Sequence, residues 1–117
     1  AELHSDHRTS ITPTASDSIL VIQVEWGISV DDSKCGMAIY MSTDSGSTWV
    51  DQHSGESYEE MFRIHNGSGR IWNRKTITWT FTAGNTNARM YTPFWRGYGS
   101  SGDNLGDLGM IIWEVAP

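Results

Sequence analysis

Residues 11–27 read ITPTASDSILVIQVEWG, and the reading of this stretch decides the fold. Its second half, Ile19 to Trp26, is the longest apolar run of the chain, and it alternates. Leu20, Ile22, Val24 and Trp26 fall on one side; Ile19, Val21, Gln23 and Glu25 fall on the other. Successive side chains of a strand point to opposite faces, so this predicts a strand with one dry face and one that becomes wet towards Glu25. Pro13 and the cluster Thr14 to Ser18 suit a turn and resist helix. A strand entered in this way needs partners for both edges and for its Leu20/Trp26 face.

The remaining sequence offers such partners. With 117 residues the chain is long enough for one core but not two. Aromatics at 11% against 19% charged residues argue for a folded chain, since disorder goes with high charge and low hydrophobicity. No long segment has a 3.6-residue period, whereas Gly, Ser and Thr punctuate short alternating runs, as in an all-β sandwich. A net charge of −6 disfavours nucleic acid, whose phosphates need clustered Lys and Arg. Arg70, Arg74 and Lys75, broken by Trp72, read as a solvated strand end. No run reaches the roughly 20 apolar residues that span a bilayer as a helix. The start at Ala1 suggests a processed product or a piece of a longer chain. Cys35 is alone, so no intramolecular disulfide is available and the thiol reads as a small buried hydrophobe.

Residues 1–10 are polar and aperiodic and read as an arm or linker with at most a short strand; residues 11–117 form the domain. Further strands are expected at Gly36–Ser42, from Trp49, at Met61–Ile64, at Thr76–Ala83, at Ala88–Arg96 and at Leu108–Val115. Asn73, Arg74 and Lys75 interrupt any strand begun at Arg70. Asn66-Gly67 and Gly84-Asn85 are turn signals. Pro93 makes its strand an edge strand or a bulged one. Glycines 97, 99, 102 and 106 mark a flexible loop.

The opening ITPTASDSILVIQVEW, the middle strand GMAIYMS and the close LGMIIWEVAP together resemble the C-terminal tip domains of phage tail-fibre-like virion proteins. Thr12-Pro13-Thr14 with Ile19–Val24, Thr76–Ala83 with Ala88–Phe94, and Met110–Ala116 carry the resemblance, which covers most of residues 11–117. It implies a jelly-roll-like antiparallel β-sandwich that trimerises about a threefold axis at the end of a fibre. Residues 51–75 and the end of the Ala88 strand match less clearly.

Ser42 to Trp49, STDSGSTW, fits the S-x-D-x-G-x-T-W Asp-box of sialidases and related propellers. A propeller needs several blades of about 40 residues, and one copy in this chain cannot build it. The motif therefore reads as a structural hairpin, with Asp44 accepting backbone hydrogen bonds, Gly46 at positive φ and Trp49 packed beneath. Glu56, Glu59, Glu60, Asp103 and Asp107 are loop acids that nothing pairs into the two-carboxylate arrangement of a glycosidase. The expectation is that the chain is not an enzyme and uses no cofactor. His4 and His7 form H-x-x-H and are weak metal candidates; His53 and His65 lack a ligand-spaced partner. Asn66-Gly67-Ser68 fits a glycosylation acceptor but reads as a turn.

The aromatics are more informative. Trp26, Trp79 and Trp113 sit at alternating strand positions and read as core. Tyr91, Trp95, Arg96 and Tyr98, with Asp103 and Asn104 in the following loop, form the candidate ligand site: aromatic faces stack on sugar rings while Asp, Asn and Arg grip hydroxyls. Trp95 is an equally good trimer-interface residue. The expected function is thus a virion protein, a homotrimer alongside other virion proteins, that attaches the particle to a neutral or basic host surface glycan. A ligand-free fibre-trimerisation or capsid-decoration role is one alternative. A free carbohydrate-binding module is the other.

Overall fold

Alternation at Ile19–Trp26 continues to Asp31 and forms β2 (Ile19–Asp31), the middle strand of a three-stranded sheet. The computed structural model describes residues 7–31, 34–53, 70–98 and 104–117, with side chains described at all of these except 28–31, 34–36, 70–73, 95–98 and 104–108. Both edges of β2 are filled as its sequence requires. β5 (Arg70–Thr82) pairs along its whole length, from Ile19 opposite Thr82 to Asp31 opposite Arg70, and β7 (Asn104–Val115) lies antiparallel on the other side. A second, four-stranded sheet has the order β1-β6-β3-β4, made by β1 (Thr9–Ile11), β3 (Lys34–Ser42), β4 (Val50–Asp51) and β6 (Arg89–Tyr98). All described pairings are antiparallel, and the two sheets enclose one core. The fold is an all-β sandwich.

Leu20, Ile22, Val24 and Trp26 are fully buried and meet Met37, Ile39 and Tyr91 from the facing sheet. Each such side chain contributes about 1.5–3 kcal/mol by leaving water, so the inner face of β2 is the main source of stability. Ile77, Trp79, Phe81, Met110 and Ile112 flank it, half-buried. The lead-in is a turn closed by the Ser18 amide on the Ala15 carbonyl, and it is tied to the end of β5 by bonds from Ala83 N to Ser18 O and Gly84 N to Ser16 O.

Four expectations change. β5 is continuous through Asn73, Arg74 and Lys75, because pairing with β2 holds all three in register and Arg74 reaches Glu25 at 2.7 Å. The short strand allowed within the arm is β1, whereas Gly97 and Gly106, expected in a loop, pair with Cys35 and Gly27 inside β6 and β7. Pro93 lies in a strand paired on both sides, without a bulge. Ile39, its partner, turns its own N–H and C=O away from β6 towards His53 and Gln52, so Pro93 is at a position whose nitrogen faces away from β3. On that side β1 has already ended at Thr9 opposite Tyr91, and no ladder bond is lost. Finally, Trp113 is 41% exposed rather than core. It pairs with Val21, on the outer face of β2, while Met110 and Ile112 point inwards. The strand expected at Met61–Ile64 and the turn at Asn66-Gly67 lie outside the described residues.

β4 is only two residues long, and His53 replaces its missing ladder. The imidazole Nε2 accepts the Ile39 N–H at 3.1 Å, as a strand carbonyl would, while the His53 amide is held by Asp51 Oδ1 at 2.8 Å. The buried ring also packs 5.5 Å from Trp79 and 5.6 Å from Phe81, joining the two sheets.

Candidate functional site

The outer face of the four-stranded sheet is built around the hairpin that joins β3 to β4. Asp44 accepts from the Thr48 amide on Oδ1 and the Thr48 hydroxyl on Oδ2, at 2.8 and 2.6 Å, and from the Ser42 hydroxyl at 2.7 Å. Ser42 Oγ in turn accepts the Gly46 amide at 2.8 Å. The Thr48 and Ser42 hydroxyls, followed by the Thr48 amide, hold the Asp44 carboxyl down at about 2. Ser45 (φ 60°) and Gly46 (φ 90°) take the left-handed backbone that lets the loop close. The motif is a structural turn, as its sequence implies, and Trp49 lies against it.

Trp49 links this turn to the sheet. The Arg8 guanidinium sits 5.1 Å from its ring centroid, and a Cβ placed on Gly46 would come within 2.6 Å of Arg8 Nη1. Gly46 is required for its φ, whereas the flexible end of Arg8 can yield to a Cβ at that position. Trp49 approaches Phe94 at 6.0 Å, and Phe94 stacks on Tyr40 at 3.9 Å with the rings 5° from parallel. All four side chains are half-buried. Tyr40 and Ser42, and likewise Met90 and Phe94, share one face of their strands. Beyond the aromatic group, the same sheet carries a cleft of about 150 Å³ lined by Ser10, Ser42, Thr43, Ser45, Ala88, Arg89 and Met90, and none of the three aromatic rings forms its wall. Hydroxyls and a thioether line the cleft, a combination that can hold a small polar group by hydrogen bonds and apolar contact.

Arg89, which also borders the cleft, is committed to the 83–87 loop. Its Nη1 donates to Ala83 O at 2.7 Å, its Nε to Asn87 O at 3.1 Å, and its Nη2 to the Asn85 carbonyl and side-chain oxygen. It organises that loop.

Of the aromatic and polar residues singled out in the sequence as a ligand site, Tyr91 alone has a described side chain. Tyr91 is buried against Phe81 in the core and presents nothing to a ligand, because strand alternation sends it inwards between Met90 and Thr92. Positions 95, 96 and 98 lie on β6, opposite Met37, Gly36 and Lys34, whereas Asn104 starts β7 in the other sheet, opposite Ser29. The side chains of Trp95, Arg96, Tyr98 and Asn104, and all of Asp103 and His4, lie outside the described residues. So do Glu56, Glu59 and Glu60. Among the described residues, His7 included, no group of His, Cys, Asp or Glu is arranged to hold a metal. The site that the structure does assemble was missed because Arg8 was read as arm and Tyr40 and Phe94 as ordinary strand residues.

Neither protein families, characterised proteins nor solved structures give a match to this chain. The geometry carries the functional argument from here.

Proposed function

We propose that this chain is a non-enzymatic virion domain of the phage tail-fibre-tip kind, a homotrimer that attaches the particle to its host by holding a neutral surface glycan. The observation that carries the reading is the hydroxyl-lined cleft at the Ser42–Met90 end of the sheet that also bears the Tyr40–Phe94 stack and Trp49. Its described lining contains no carboxylate, which suits hydrogen bonding to sugar hydroxyls more than acid–base chemistry. Three copies of a weak single site on one tip would hold a surface by avidity. The resemblance of the sequence to fibre-tip domains, which implies a jelly-roll-like arrangement of the sheets, supports the same reading.

The test is binding to a panel of neutral bacterial surface oligosaccharides, followed by amide chemical shifts. Saturable shifts confined to Ser42–Trp49 and Met90–Phe94 are expected. Thr43 is exposed at the cleft, so Thr43→Arg should block it without unfolding the domain and reduce binding at least tenfold. Absence of binding across the panel, or equal binding by the variant, would overturn the assignment. A ligand-free assembly role is favoured by one feature, the apolar outer face of the other sheet.

A further inference from the structure

That outer face is unusual in composition. Ile19 (37% exposed), Ile111 (59%), Trp113 (41%) and Val115 (47%) stand together on it, because Ile19 pairs with Val115 and Val21 with Trp113. On the other flank of β2 the positions Thr76, Thr78, Thr80 and Thr82 present exposed threonines. Trp and Ile side chains gathered in this way are the mark of a surface that is covered in the working assembly.

Charge indicates what covers it. The chain carries a net −6, so copies of it repel over most of their surface. Among the described residues the charged groups on this face are Glu25 and Arg74, which neutralise each other across 2.7 Å. A basic partner would be drawn to the acidic remainder of the molecule. A second copy of the same chain meets least resistance here.

The face also has a knob and a hole. Gly109 leaves a notch of about 90 Å³ lined by Gln23, Glu25 and Ile111, and a Cβ built on Gly109 would touch nothing within 4 Å. Trp113 stands four residues along the same strand, about 13 Å away at the usual rise. We propose that this face is the contact between copies of this chain, with Trp113 of one copy seated in the Gly109 notch of the other. The indole ring fills the gap, and its N–H has Glu25 and Gln23 as acceptors at the rim. Knob and hole on one face make the contact self-complementary, so two copies meet face to face about a twofold axis, each Trp113 in the other's notch. This inference goes beyond the proposed function, whose threefold axis would need a different surface.

Light scattering on the purified chain and on two variants tests it. The wild type should have twice the mass of the 13.1 kDa chain, or six times it where the threefold assembly also forms, and both Trp113→Ser and Gly109→Leu should halve it. Gly109→Leu is the cleaner variant, since the monomer has open space for the added side chain and should keep its circular dichroism spectrum. A monomeric wild type, or variants that keep the wild-type mass, would overturn the proposal. A wild-type trimer would overturn the twofold contact as well. Sugar binding by these variants separates the two proposals: if it persists, the glycan site stands whether or not the copies associate.

Discussion

Asp44 sits in solvent, yet its carboxyl is held at about 2, below the ordinary 3.8, by hydrogen bonds that only the folded hairpin supplies. A group whose pKa is depressed on folding contributes stability above its unfolded pKa and loses it as pH falls through the folded value. Asp44→Asn should therefore lower the melting temperature at pH 6, and the gap from wild type should close as pH falls from about 4 towards about 2. Thermal melts of both proteins across that range would show it; a gap independent of pH would rule it out. The hairpin was legible in the sequence because Ser42, Asp44, Gly46, Thr48 and Trp49 each have a conformational, hydrogen-bonding or packing task within eight positions. Arg8 over Trp49 was not legible, since it joins residues 41 positions apart and no local pattern records the contact.

At the scale of elements, β2 shows the pattern rule at its strongest. Its two faces differ so much in composition that a slip of one residue would expose Leu20, Ile22, Val24 and Trp26 together. Ile22→Ala should cost about 2–5 kcal/mol, with little room for the core to close around the loss. Gln23→Ala, one residue along and on the outer face, should stay within about 0.5 kcal/mol. Urea titrations compare them directly, and similar costs at both positions would contradict the register. β7 was harder to read because it is apolar on both faces. Glu114 lies on the side of Met110 and Ile112, at the end of the sandwich. There its carboxyl is lowered by the Ser18 hydroxyl, then by the Thr14 hydroxyl and amide. That arrangement turned Trp113 outwards. For β6, aromatic character groups Tyr91 with Trp95 and Tyr98, but its place on the inner face, between Met90 and Thr92, buries it against Phe81. The chemistry of a residue type misled where the period was informative.

For the whole molecule, the sandwich class was legible from short alternating runs and turn residues, but strand order was not, because pairing is decided between distant segments. Most connections carry the chain from one sheet to the other, so β2 meets β5 and β7, and β3 meets β6, only after long excursions. Closure of such distant pairs is slow, and refolding on the millisecond-to-second scale is expected of this topology. The pairing pattern has another consequence. Of the described ladders, β1 with β6, β2 with β5, β2 with β7 and β3 with β6 each join a strand from residues 7–53 to one from residues 70–117; β3 with β4 alone lies within one segment. The molecule is two interlaced combs. Cut between residues 54 and 69, neither comb holds the teeth it needs, and each should be unfolded alone. Mixed, the fragments should regain the strand spectrum of the intact chain, which circular dichroism of each piece and of the mixture would reveal. Two proteins fused to the separate pieces would then be brought together by the reassembly of this one fold.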